Sequence, residues 1–136
     1  MARKYFPKES RLVYEWLQKN YPRCLQWRRV RLGPIPKGDI FYQVVRRWAD
    51  AVVFCGDKVI IVEAKIKADA GALGQLELYK ELFPKTPEFS QLKDYPIELV
   101  FLTAFRDPQL EKLAKKKGIR YVVYCPKWLK EALGLK

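Results

Sequence analysis

The segment WADAVVFCGDKVIIVEAK, residues 48–65, decides the fold of this chain. Two apolar runs, Ala49–Phe54 and Lys58–Lys65, flank the turn residues Gly56 and Asp57. Apolar, β-branched runs on either side of a glycine-containing turn are typical of antiparallel strands. The segment therefore predicts a β-hairpin.

Each arm of this hairpin carries one acidic residue among apolar neighbours, Asp50 in the first arm and Glu63 in the second. Successive side chains of a strand alternate between its two faces, so Glu63 and Lys65 share one face while Val62 and Ala64 share the other. The turn brings the first arm alongside the second. We therefore expect Asp50, Glu63 and Lys65 to converge on one spot.

Helices and strands alternate on both sides of the hairpin. Helices are predicted at Lys8–Asn20, at Ala70–Phe83, from Asp107-Pro108 to Gly118, and at Pro126–Leu133. Further strands are predicted at Cys24–Leu32 and Phe41–Val45, at Ile97–Phe105 as a central buried strand, and at Ile119–Cys125 as another buried strand. This order predicts an α/β fold with a central mixed sheet flanked by helices, formed as a single domain over residues 1–136.

The composition indicates a soluble intracellular protein. Hydrophobic residues make up 49% of the chain and charged residues 31%, and no apolar run approaches the roughly 20 residues that cross a bilayer. The basic N-terminus has no apolar segment after it of the kind found in secretory signals. We therefore expect no membrane partner and a cytoplasmic location.

Cysteine and histidine limit the chemistry that is available. Cys24, Cys55 and Cys125 form no CxxC pair and are predicted to be buried thiols. The chain has no histidine, which excludes Ser-His-Asp and Cys-His catalysis and histidine-based metal sites. Any hydrolysis must use carboxylates, lysine and a hard cation.

The net charge of +12 arises from 27 basic and 15 acidic residues. An excess of this size on one small domain favours a polyanionic partner, because each lysine or arginine docked on a phosphate releases condensed counterions. The alternative interpretation is a protein that is basic without a polyanionic partner. No helix shows a basic face opposite a broad apolar face, which argues against a membrane surface.

Two carboxylates beside a lysine suit phosphodiester hydrolysis. Asp50 and Glu63 offer oxygen ligands for Mg²⁺ or Mn²⁺, and Lys65 can orient a water or stabilise developing charge. The alternative is a structural salt bridge between Glu63 and Lys65. Glu63-Ala64-Lys65 is the only [DE]xK triplet in the chain and follows an apolar, acid-bearing strand, which favours the catalytic interpretation.

The arrangement of Asp50 before Glu63-Ala64-Lys65 resembles the motif of the PD-(D/E)XK nuclease superfamily, whose restriction-endonuclease-like core, αβββαβ, matches the element order of residues 8–105. Ala49 stands where that motif often has proline. The resemblance implies that Asp50, Glu63 and the Ala64 carbonyl hold the metal, and that Lys65 positions the water.

Two outlying features are similar to those of related nucleases. Glu9 falls within the apolar arc of the first helix, where such nucleases carry a glutamate that reaches the site through a water or as a further metal ligand; the alternative is an acid favoured at a helix start. Gln75 and Tyr79 form a QxxxY pattern that resembles the RecB-like branch, which includes Cas4-like exonucleases. There the glutamine orients the site, and the tyrosine contacts the substrate or the sheet.

Arginines and aromatic residues cluster near these acids. Arg28, Arg29 and Arg31 lie on one predicted strand with Trp27, and Arg46 and Arg47 precede the Asp50 strand. Arginines can hold phosphates bidentately, and a tryptophan or tyrosine can stack on an unpaired base. The alternative is a solvated strand face. These arginines and Tyr79 are the predicted nucleic-acid-binding residues.

The sequence thus predicts a magnesium-dependent nuclease that acts on DNA, including branched or single-stranded DNA. A Holliday-junction resolvase of the same fold is the second candidate; such enzymes usually lack QxxxY, and junction resolution requires a homodimer. A nucleic-acid-binding module that keeps the fold without catalysis is the candidate from another class.

Overall fold

The computed structural model describes residues 7–35 and 46–135. Helices are α1 (Pro7–Asn20), α2 (Ala70–Leu82), α3 (Pro108–Lys116) and α4 (Lys127–Ala132), and strands are β1 (Leu25–Leu32), β2 (Arg47–Cys55), β3 (Lys58–Lys65), β4 (Ile97–Thr103) and β5 (Ile119–Val123). Two short 3₁₀ helices, Phe83–Lys85 and Pro87–Leu92, follow α2. The predicted strand at Phe41–Val45 lies outside the described residues.

The five strands form one mixed sheet in the order β1-β2-β3-β4-β5. β1, β2 and β3 pair antiparallel, which confirms the predicted hairpin, and β4 and β5 add in parallel. Parallel neighbours require crossover connections, and here α2 joins β3 to β4 while α3 joins β4 to β5. The α/β fold with a central mixed sheet is as predicted.

Helices cover both faces of the sheet. On one face, Leu12 and Trp16 of α1 and Leu129 of α4 pack with Ile60 and Val62 of β3. On the other face, α2 and α3 pack against the sheet. Their buried side chains there are Ala72, Leu73, Leu76, Tyr79, Leu110 and Ala114. The apolar pattern of each helix therefore fixes which sheet face it covers.

Local signals set the helix boundaries. The Asp69 carboxylate accepts a hydrogen bond from the Gly71 N–H at the start of α2, and Asp107 caps α3 in the same way. Gly118 ends the α3 region with a φ of +71°, a left-handed conformation that glycine adopts without steric cost. No helix of the described residues is long and apolar enough to cross a membrane.

Two sequence predictions about this fold are wrong. Cys24 and Cys55 are not thiols but form a disulfide between the start of β1 and the end of β2, while Cys125 is a free, half-buried cysteine. A disulfide is unusual in a reducing cytoplasm, except in hyperthermophiles. β5 was predicted to be a buried strand, but it lies at one edge of the sheet of described strands. Apart from Ile119, its residues are only partly buried or exposed, because β5 pairs with β4 on one side only. α3 packs against it.

Candidate active site

The regular backbone pairing between β2 and β3 ends next to Asp50. The last paired residues are Ala51 and Val62, and one step further Asp50 lies beside Glu63. There the Asp50 side chain takes the place of a backbone acceptor: its Oδ2 accepts the Ala64 N–H at 2.7 Å. This hydrogen bond ties the Asp50 carboxylate to the backbone between Glu63 and Lys65.

Both carboxylates are buried. Asp50 is 8% exposed and Glu63 is 1% exposed. Val62 and Ala64 pack in the core beneath α1 and α4, so Glu63 faces the opposite side of the sheet, as the alternation predicts. Buried carboxylates are costly unless they are hydrogen-bonded, paired or bound to a metal, so this pair is not an incidental surface feature.

Tyr79 of α2 lies behind Glu63. Its hydroxyl donates to the Trp48 carbonyl at 2.5 Å and lies 3.4 Å from Glu63 Oε1. Tyr79 is 3% exposed, so the prediction that it binds nucleic acid does not fit its position. The QxxxY tyrosine instead contacts the sheet and holds β2 against the site.

Gln75 lies one helical turn before Tyr79 and is exposed. Because β4 is parallel to β3, the connecting helix α2 runs in the opposite direction to β3. Four helical residues rise about 6 Å and two strand residues about 6.6 Å. Because Tyr79 contacts Glu63, Gln75 lies at about the same height along the sheet as Lys65. Lys65 is half-buried.

Glu9 is half-buried in the first turn of α1, on the helix that packs over β2 and β3. Within residues 7–35 and 46–135, no three Asp, Glu or Cys side chains are gathered closely enough to hold a metal ion. Glu9 as a third ligand beside Asp50 and Glu63 therefore stays a prediction. Glu15, also on α1, accepts a hydrogen bond from the Trp128 indole.

The donor set at this site fits a hard divalent cation. Asp50 and Glu63 supply carboxylate oxygens, and the Ala64 carbonyl lies between Glu63 and Lys65 in the chain. Mg²⁺ is usually bound in proteins by one or two carboxylates, while waters and substrate oxygens complete its octahedron. Two carboxylates and one carbonyl are therefore sufficient protein ligands.

In the described part of the chain β1 forms one edge of the sheet, and it borders an open groove of about 460 Å³ beside this site. We call it the β1 groove, and its lining includes Trp27, Arg28, Arg29, Arg31, Trp48 and Phe89. Arg28 and Val30 pair with Ala51 and Ala49, so Arg29 lies opposite Asp50. The predicted basic strand thus borders the candidate active site.

Arg46 and Arg47 have different surroundings. Arg46 pairs with Glu88 at 2.7 Å and donates to the Gly33 carbonyl at 3.2 Å. With its side chain 12% exposed, Arg46 joins Gly33 to the 3₁₀ helix that contains Glu88. Its binding of nucleic acid stays a prediction. Arg47 is exposed at the start of β2. Its binding of nucleic acid also stays a prediction.

Sequence reasoning missed Trp48 as a site residue. Its backbone carbonyl accepts the Tyr79 hydroxyl, and its indole ring lies under Arg31. The sequence did contain a signal for this role, because Trp48 lies only two residues before Asp50. The Arg46–Glu88 pair had no such signal, because its members are separated by 42 residues.

Comparisons with known proteins find similar folds among solved structures, two of which are endonucleases. No family model and no curated protein matches the chain. A repair endonuclease from Pyrococcus abyssi superposes with a TM-score of 0.53 and 17% identity over 91% of this chain and 49% of that one. EndoMS, solved in complex with dsDNA, superposes with a TM-score of 0.54 and 15% sequence identity. The match covers 90% of this chain and 47% of EndoMS.

A third similar structure is a protein of unknown function, with a TM-score of 0.58 and 14% identity over 93% of this chain and 66% of that one. The chain thus spans about half the length of the two endonucleases that it resembles. At these identities the likeness shows the fold alone, an α/β architecture with a mixed sheet flanked by helices.

Proposed function

We propose that this chain is a metal-dependent deoxyribonuclease domain of the PD-(D/E)XK type. The observation that carries the proposal is the pair of buried carboxylates, Asp50 and Glu63, at the point where the β2–β3 ladder ends, with Asp50 bonded to the Ala64 N–H. The fold shared with two repair endonucleases, one of them solved with dsDNA, supports the same conclusion.

Asp50, Glu63 and the Ala64 carbonyl would hold one Mg²⁺ or Mn²⁺ ion. When bound, such an ion polarises a phosphoryl oxygen and lowers the pKa of an attacking water. The hydrogen bond from the Ala64 N–H orients the Asp50 carboxylate before any ligand arrives. Tyr79 does the same for the Glu63 side of the site, because its hydroxyl is anchored on Trp48.

Lys65 supplies the positive charge that the chemistry requires. It follows Glu63 on the same strand face and is half-buried, so its ammonium can orient the attacking water and stabilise charge on the phosphoryl oxygens. Gln75, brought toward the level of Lys65, is a second group that can orient the water. Together with Tyr79 it supports assignment to the RecB-like branch.

The test is a cleavage panel of plasmid, linear duplex, single-stranded and four-way-junction DNA, each with Mg²⁺, Mn²⁺ or EDTA. We expect cleavage that requires the metal and falls at least 100-fold in Lys65→Ala, in line with the loss of one charge-stabilising group. Lys58→Ala is the matched control. Lys58 lies at the opposite end of β3 from Lys65 and pairs there with Glu98.

Absence of cleavage on every substrate would contradict the proposal, as would equal activity of wild type and Lys65→Ala. A protein that retains DNA in EDTA, gains nothing from metal and is unaffected by Asp50→Ala would be a non-catalytic binding module. A strong preference for the four-way junction would instead identify a junction resolvase.

A further inference from the structure

The β1 groove combines guanidinium groups with aromatic rings. Arg28, Arg29 and Arg31 are exposed on β1, and Trp27 and Phe89 line the same groove, in edge-to-face contact with ring centroids 5.1 Å apart. Its volume of about 460 Å³ lies within the range of small-ligand pockets. Phosphates suit the arginines, and a planar base suits the rings.

Trp48 is the centre of this arrangement. The guanidinium carbons of Arg31 and Arg29 lie 5.1 Å and 5.9 Å from its ring centroid. A guanidinium held by an aromatic face keeps its full charge and its hydrogen-bond donors. Trp48 therefore gathers two phosphate-binding groups around a half-buried ring.

The groove is fixed to the candidate active site in two ways. Trp48 lies two residues before Asp50 on β2, and its carbonyl accepts the Tyr79 hydroxyl that also contacts Glu63. Arg29 lies opposite Asp50 and has a φ of +55°, the only described non-glycine residue with a positive φ. Such a left-handed conformation in a strand is strained and is retained where the surrounding structure enforces it.

We propose that the β1 groove binds an unpaired nucleotide of single-stranded DNA next to the scissile phosphate. The base takes the place of a guanidinium on the Trp48 ring, and the phosphates bind to Arg29 and Arg31. The bases of an intact duplex are stacked on one another, so an aromatic ring beside the backbone adds nothing to duplex binding, whereas it adds stacking energy for an exposed base. This inference rests on the proposed nuclease function and names its substrate class.

The test measures binding apart from cleavage. Fluorescence anisotropy is recorded in EDTA, on the Lys65→Ala background, with labelled single-stranded DNA, the matched duplex and single-stranded RNA of the same sequence. We expect Trp48→Leu to weaken single-strand binding about 5- to 150-fold, the range for loss of one stacked base, and to change duplex binding less than twofold. Trp48→Phe, which keeps a ring, restores most of the affinity.

Two control variants separate the groove from the rest of the surface. Trp128 also carries an arginine, Arg11, over its ring at 4.0 Å, but it lies on α4, so Trp128→Leu should leave single-strand affinity unchanged. Arg29→Gln and Arg31→Gln should each reduce the slope of log affinity against log salt by about 0.7 on single strands. Arg120→Gln, on the opposite edge strand, should not.

The arginine variants keep the test valid if Trp48→Leu does not fold, which thermal melting by circular dichroism reports. Equal losses on single strands and duplex, an unchanged affinity in Trp48→Leu, or tighter binding of RNA than of DNA would each overturn the inference. Metal-dependent cleavage without single-strand preference would overturn this inference alone. Single-strand binding without cleavage would overturn the proposed enzyme alone.

Discussion

The two ends of the β2–β3 hairpin carry the same kinds of side chain in opposite surroundings. At the turn end, Lys58 pairs with Glu98 at 2.9 Å, and their side chains are 45% and 27% exposed. At the open end, Lys65 follows Glu63, and both Glu63 and Asp50 are buried. Each end thus has a lysine near a carboxylate, but Glu98 at the turn end is only half-buried, whereas Glu63 and Asp50 at the open end are buried.

This difference indicates what each end does. Exposed ion pairs are weakened by solvent and salt and contribute little to stability. Buried carboxylates are costly to the fold, and costs of this kind are expected at functional sites. The turn end also holds the Cys24–Cys55 disulfide. We therefore expect changes at the turn end to alter stability and changes at the open end to alter activity.

The largest effect is expected for Asp50→Asn. The amide keeps an oxygen that can accept the Ala64 N–H but loses the charge that a divalent cation requires, so cleavage should fall about 100- to 1,000-fold, a loss comparable to that of one transition-state-stabilising group. Stability should change by less than about 1 kcal/mol, because the geometry is conserved. Steady-state kcat/KM and urea denaturation measure the two quantities.

The matched control is Glu98→Gln at the turn end, which removes a charge from the partner of Lys58. Its cleavage rate should equal that of wild type. A comparable loss of activity in both variants would mean that the two ends of the hairpin are not functionally distinct.

The second effect concerns the disulfide at the turn end. Cys24 and Cys55 are separated by 31 residues, and a closed loop of that size stabilises a fold by about 3–4 kcal/mol in the chain-entropy account. Cys24→Ala/Cys55→Ala should lose up to that amount in urea denaturation, while kcat/KM at a temperature where the variant is folded stays unchanged. Cys125→Ala, which removes the free cysteine, serves as the control; a loss of activity in the double variant alone would mean that the turn end also affects catalysis.

A third, smaller effect is expected for Tyr79→Phe at the open end. It removes the hydroxyl that donates to the Trp48 carbonyl and contacts Glu63, and an acceptor left without its donor costs about 1–2 kcal/mol. Cleavage should fall about tenfold, because Glu63 and β2 lose a common anchor. Denaturation and kcat/KM are again the measurements.

Tyr124→Phe is the control for this change. The Tyr124 hydroxyl is buried and has no hydrogen-bond partner among the described residues, so its removal should leave stability unchanged or slightly raised. If both phenylalanine variants behaved alike, the hydroxyl of Tyr79 would have no special role.

The sequence predicted the open end of the hairpin better than the regions around it, for a physical reason. The Gly56-Asp57 turn and the alternation of Glu63 and Lys65 are local, so spacing alone identified them. The Arg46–Glu88 pair, the Cys24–Cys55 disulfide and the edge position of β5 depend on how distant segments meet. The convergence of Asp50 with Glu63 was predictable because only one short turn separates their strands.

The smallest effect is expected for Lys58→Met at the turn end. A hydrogen bond from Lys58 to Glu98, with the attraction of that carboxylate, raises the pKa of Lys58. A raised lysine pKa stabilises the fold below the unfolded pKa of about 10.4, and this contribution disappears as the pH rises through the folded value. Because Lys58 is exposed and Glu98 is only half-buried, the loss at pH 7 should be under about 0.5 kcal/mol, and cleavage should be unchanged. Urea denaturation of both proteins at pH 7 and pH 11 should show a smaller difference at the higher pH, and high salt should also reduce the difference. A difference that is undiminished at pH 11 would mean that Lys58 acts through packing of its aliphatic stem instead of its charge.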